Sequence, residues 1–303
     1  MKRWEKAGIV CCSDPLPDSF LPQTQALCEV LSSLGITPVL SDAMFISGLR
    51  GKNAMKAKAD ALMRMIKDPD ISAVFDVSGG DLANGMLPYL DFSVFADHPK
   101  PIFGYSDLTA LLNAVYQKAG TASVLYSVKN LIGKHADVQI ARFFAYLQGN
   151  SDLLFSPTWQ FVQGESIHGT LIGGNIRCLL KLAGTPYFPA CSDAVLFLES
   201  RSGGENRICS YFDQLLCMDV FSKVNGVLLG TFTEFESVCG EDAPQQLLME
   251  VVQNKHLPIA KTKTVGHGSD SHALPIGVRV SLCAQKASYL QFSHHSDYDI
   301  IPL

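Results

Sequence analysis

Through the first half of the chain, short apolar runs alternate with stretches in which apolar side chains recur at helical spacing. Ala7-Gly-Ile-Val-Cys-Cys12 is a continuous apolar run ending in Ser-Asp-Pro, the pattern of a central parallel strand followed by a turn. Leu27, Val30, Leu31 and Leu34 share one face of a helix predicted from Leu21 to Leu34, with Gly35 just past its end. Thr37–Leu40 predicts a second strand, and Asn53–Ile66 a helix with Ala54, Ala57, Ala61, Leu62 and Met65 inward. Ile71–Val77 reads as a third buried strand that runs into Ser78-Gly79-Gly80-Asp81. Ile102-Phe103 reads as the end of another strand. It passes through Gly104-Tyr105-Ser106-Asp107 into a helix carrying Leu108, Leu111, Leu112, Val115, Tyr116 and Ala119, stopped by Gly120. Ser123–Tyr126 predicts one more strand and His135–Leu147 one more helix.

This rhythm predicts an α/β fold whose N-terminal domain, residues 1–150, is a doubly wound, mostly parallel sheet. Ligands of such sheets sit beyond the carboxyl ends of the strands, where Gly79-Gly80 and Ser106 both fall. Residues 149–164 are polar, contain Pro157 and lack periodicity, so residues 151–166 read as a linker. From 167 to 303 the texture is strand-rich and mixed. Gly169–Asn175 leads into a short helix from Ile176 to Leu182, and Ala194–Leu198 is a strong strand that delivers Glu199. Tyr211–Met218 reads as helix, and Gly226–Gly230 and Pro258–Lys261 as strands. A glycine-rich loop from Val265 to Gly277 precedes a last strand, Val278–Cys283.

A chain of 303 residues, 47% hydrophobic and 17% charged, has the composition of a globular enzyme with a sizeable core. A net charge of -5 and the lack of basic runs argue against a nucleic-acid partner. No apolar stretch approaches membrane-spanning length, and the run after the charged first residues is too short for a signal peptide, so a cytoplasmic location is expected. The nine cysteines form no CxxC pair and read as reduced, mostly core residues without chemistry, with no metal and no cofactor expected.

A serine at an abrupt strand-to-helix junction has the geometry of a nucleophile elbow, although Ser-Asp at a helix start is also an ordinary cap. A serine nucleophile needs a base, and the base an orienting acid. His267, bracketed by Gly266 and Gly268, is the preferred base. His272 lies nearby in sequence, and the adjacent His294 and His295 read as solvated. Glu199, at the end of a buried strand, is the candidate acid, with a salt bridge to Arg201 or Arg207 as its ordinary alternative.

Gly104-Tyr105-Ser106-Asp107-Leu-Thr-Ala-Leu resembles the nucleophile motif of the LD-carboxypeptidase family, serine peptidase family S66. Four more blocks agree in order: Gly79-Gly80 followed by Met86-Leu-Pro-Tyr-Leu-Asp91; Gly173-Gly174-Asn175 running to Leu182-Ala-Gly-Thr-Pro-Tyr187; Leu196-Phe-Leu-Glu199; and Gly266-His267 leading to Leu274-Pro-Ile-Gly277. The resemblance implies a site in a cleft between two domains, with Ser106 as nucleophile, His267 as base and Glu199 as orienting acid. It further implies the backbone amides of Asp107 and Gly80 as oxyanion donors, Gly79 and Asn175 at the substrate, and no metal. By family analogy it also implies pairing into a homodimer.

The implied reaction is release of the terminal D-alanine of a muropeptide by cleavage of an L,D-amide bond, through an acyl-enzyme. One position departs from the muropeptide-cleaving pattern, in which an arginine directly precedes the paired glycines: here it is Ser78. Ser78, with Asp81 after the glycines, resembles the microcin C immunity branch, which hydrolyses peptidyl- or aminoacyl-nucleotide conjugates. From another class, a two-domain ligand-binding protein without catalysis is the remaining alternative, against which the complete Ser, Glu and His set weighs.

Overall fold

A computed structural model describes residues 4–45, 51–284 and 290–292. His294 and His295 lie outside these residues, as do the ends of the expected 1–150 and 167–303 units. The first half runs β1 (Lys6–Val10), α1 (Leu21–Ser33), β2 (Thr37–Leu40), α2 (Gly51–Lys67), β3 (Ile71–Asp76), α3 (Ser93–Asp97), β4 (Ile102–Gly104), α4 (Thr109–Ala119), β5 (Ser123–Leu125), α5 (Ala136–Leu147) and α6 (Asp152–Phe155). The second runs β6 (Gln160–Gln163), β7 (Ser166–Asn175), α7 (Ile176–Leu180), β8 (Ala194–Ser200), α8 (Glu205–Cys217), β9 (Gly226–Phe232), α9 (Thr233–Cys239), α10 (Ala243–Val252), β10 (Ile259–Lys261), β11 (Leu274–Ile276), β12 (Arg279–Cys283) and β13 (Gln291–Phe292).

Two sheets result. The first has the order β11-β5-β4-β3-β1-β2, parallel except for β11. The second has the order β13-β12-β7-β8-β9-β10-β6, with a parallel centre from β7 to β10 and antiparallel strands outside it. The strand order of the first sheet reverses between β1 and β3, so the segments after β1, β3 and β4 open on one crevice. The continuous apolar runs belong to strands covered on both faces: β8 is buried along its whole length and β3 along nearly all of it.

The structure differs from the sequence reading in three places. The stretch expected as a linker is built: Leu154 and Phe155 of α6 are fully buried in the first half's core, and β6 closes one edge of the second sheet. Gly226–Phe232 is followed by α9 and α10, two helices that the pattern did not announce. Leu274–Ile276, expected in the glycine-rich loop, crosses back to pair with β5 in the first sheet. One apolar cluster consequently spans both halves, with Leu108 and Leu111 of the nucleophile segment packed in it beside Leu171 and Phe197.

Candidate active site

Ser106 follows β4 after one residue, Tyr105. Gly104 is required there, since an added Cβ would stand 2.7 Å from that of Leu108 where the new helix folds down on the strand. Ser106 itself sits at φ +57°, in the left-handed region. Its Oγ lies 3.1 Å from Nε2 of His267. His267 Nδ1 lies 2.7 Å from Oε2 of Glu199. An ionised carboxylate only accepts, so Nδ1 carries the hydrogen and Nε2 is left to accept from the serine. Glu199 is fully buried and makes its second bond, at 3.0 Å, to Nδ2 of Asn175, with no salt bridge to Arg201 or Arg207 in the described residues. The three residues singled out from the sequence thus meet in one hydrogen-bonded line.

Asn175, expected at the substrate, has its side chain bonded within the protein. It is buried, donates to Glu199, and accepts from the amide of Cys178 as the N-cap of α7. The glycine bracket around His267 also has a packing reason the sequence did not show: a Cβ on Gly266 would overlap the side chain of Thr231. The His272 ring lies near Arg142 and the backbone of Leu153 and Leu154. Burial, and then the nearby Arg142 charge, lower its pKa to about 4. Tyr105, next to the nucleophile, packs edge-on against the His267 ring at 5.1 Å, and burial followed by Glu199's charge pushes its hydroxyl well up, so it stays protonated.

The Gly79-Gly80 segment is held from both halves. Gly79 O accepts from the Asp14 amide, and Gly80 O accepts from Nη2 of Arg177 at 3.1 Å. The α-carbon of Gly79 borders open space, with nothing within 4 Å of an added Cβ. Arg177 also pairs with Asp81, and Lys181 bonds Asp81 O at 2.9 Å. The Asp107 amide follows Ser106 in the first turn of the helix. Its side chain is fully buried and accepts from Ser13 Oγ at 2.6 Å, from the Ala83 amide at 2.8 Å and from Lys181. Ser78, directly before the paired glycines, is buried; its hydroxyl donates to Asp76 at 2.6 Å and accepts from the Ser13 amide at 2.9 Å. Among the described residues no three His, Cys, Asp or Glu side chains cluster as metal ligands would, and no helix is long and apolar enough to cross a membrane.

The sequence reading passed over the side chains that lock this geometry. Asn113 of α4 is fully buried and pairs with both backbone groups of Gly173: Nδ2 donates to its carbonyl and Oδ1 accepts from its amide, each at 2.8 Å. Thr109 Oγ1 accepts from the Asn175 amide at 2.9 Å. The helix behind Ser106 therefore completes the edge of β7 where β12 leaves it. An asparagine set among Leu111, Leu112, Ala114 and Val115 was the available signal, because a buried amide must find partners.

The family model for the LD-carboxypeptidase N-terminal domain matches residues 7–126, and the one for the LD-carboxypeptidase C-terminal domain matches residues 168–282. The murein tetrapeptide carboxypeptidase of Pseudomonas aeruginosa is 30% identical over 69% of this chain and 71% of its own. The microcin C7 self-immunity protein MccF of Escherichia coli is 26% identical over 75% and 76%. The structure of MccF in complex with glutamyl sulfamoyl guanosine superposes with a TM-score of 0.85 at 22% identity, covering 97% of each chain, which establishes a common fold. Both halves of the molecule thus place this chain in the LD-carboxypeptidase family, peptidase family S66.

Proposed function

We propose that the protein is a serine hydrolase that cleaves an L,D-amide bond, releasing the terminal D-alanine of a muropeptide tetrapeptide in the cytoplasm. The observation that carries the reading is the unbroken line from Asn175 through Glu199 and His267 to Ser106. Ser106 Oγ attacks the amide carbonyl as His267 Nε2 takes its proton, and Glu199 stabilises the imidazolium that forms. The imidazolium then protonates the leaving amine. Water, deprotonated by the same histidine, opens the acyl ester and restores the serine hydroxyl. The oxyanion of each tetrahedral intermediate is assigned to the amides of Asp107 and Gly80. Ser106→Ala should lower turnover on a cleaved L,D-tetrapeptide by on the order of 10⁴-fold or more, with the circular dichroism spectrum unchanged. Wild-type turnover in this variant would remove Ser106 as nucleophile.

Ser78 favours a second reading, hydrolysis of a peptidyl- or aminoacyl-nucleotide conjugate. Its short hydroxyl is committed to Asp76 and Ser13, so the position before the glycines offers no cation to a substrate carboxylate. MccF, captured with glutamyl sulfamoyl guanosine, is a relative with a ligand of this class. Incubating the protein separately with an L,D-tetrapeptide and with an aminoacyl sulfamoyl adenosine separates the two readings by which one yields product.

A further inference from the structure

Gln139, on α5 of the first half, is fully buried and uses both ends of its amide. Its Oε1 accepts from the Tyr126 hydroxyl at 3.0 Å, while its Nε2 donates to the carbonyls of Ser269 at 3.0 Å and Ser271 at 2.9 Å. Both carbonyls belong to the loop that begins at His267. Two further bonds reach the same loop from this helix and the residue before it: Arg142 Nη1 donates to Asp270 O, and the His135 ring meets Ser269 Oγ, both at 2.9 Å. Downstream, the loop runs into β11, which is itself a strand of the first sheet. The base thus arrives from the second half but is anchored to the half that carries Ser106.

We propose that Gln139 is a positioning residue that sets the reach of His267 to Ser106 by clamping residues 269–271. The proposal rests on the reading of Ser106 as nucleophile. A glutamine suits the task because one nitrogen supplies two donors to two carbonyls while Tyr126 fixes which way the amide faces. Glutamate has the same shape, but when ionised it has no donor and sets negative charge against both carbonyl oxygens. Displacement of a reacting group by about 1 Å can cost on the order of 10²-fold in rate.

An alkyl fluorophosphonate tests this on the full chain without a substrate, since it phosphonylates an activated serine Oγ with loss of fluoride and its rate reports on the Ser106–His267 pair. Intact-mass measurement should show wild-type protein labelled and Ser106→Ala unlabelled. Gln139→Glu should label about 10- to 100-fold more slowly at a temperature where it is fully folded. Tyr126→Phe, which removes only the hydroxyl that orients the amide, should slow labelling about threefold. A purely structural role would lower the melting temperature and leave both rates at the wild-type value, and that result overturns the inference. Should Gln139→Glu fail to fold, the Tyr126→Phe rate decides alone. Wild-type protein labelled no faster than Ser106→Ala would instead overturn the hydrolase reading itself, and this inference with it.

Discussion

Ser106 is held at φ +57°, a conformation that costs a residue with a side chain about 1 kcal/mol or more because its Cβ crowds the following carbonyl. The turn from β4 into its helix demands that conformation, and the same turn presents Oγ to His267. Glycine relieves the strain and alanine does not. Urea unfolding should therefore find Ser106→Gly more stable than Ser106→Ala by about 1 kcal/mol, with both inactive; equal stabilities would show that the backbone there is unstrained. Residues of this kind were legible in the sequence. Ser106, Glu199 and His267 each stand where a pattern breaks abruptly, at the end of an apolar run or between glycines. Asn175 was found for the same reason, but its bond to a neighbouring carboxylate was not legible, because a residue beside a strand end looks alike whether or not it reaches a group on the next strand.

At the scale of elements, α4 has two tasks, carrying the nucleophile and finishing the edge of β7. The second rests on the Asn113 amide together with the Thr109 hydroxyl. Asn113→Ala would leave the buried amide and carbonyl of Gly173 without partners, each worth about 1–3 kcal/mol, so a loss of about 3 kcal/mol is expected in chemical denaturation. A loss below about 0.5 kcal/mol would show that the sheet does not rely on the helix. Periodicity announced α4 and the central strands because their burial repeats along the chain. It missed α9, whose one buried residue is Phe235, and α10, where Pro244 and Leu248 alone are buried: a helix with so narrow an inward face leaves little pattern to read. Pairing between distant segments leaves none, which is why the sheet membership of Leu274–Ile276 stayed hidden.

For the whole molecule, the two halves share an apolar cluster and exchange bonds where they meet, from Asn113 to Gly173 and from Lys181 to Asp107. Calorimetry should accordingly give a single unfolding transition with equal calorimetric and van't Hoff enthalpies. Two resolved transitions would mean that the halves melt independently. The return of residues 274–276 to β5 has a further consequence, for synthesis on the ribosome. The N-terminal half cannot seal its last edge until residues 274–276 have emerged, and until then β5 offers unpaired amides and carbonyls to any strand nearby. Nascent chains stalled before Leu274 should therefore be the aggregation-prone species in this protein's biogenesis, and chaperone demand should fall once that short segment has left the exit tunnel.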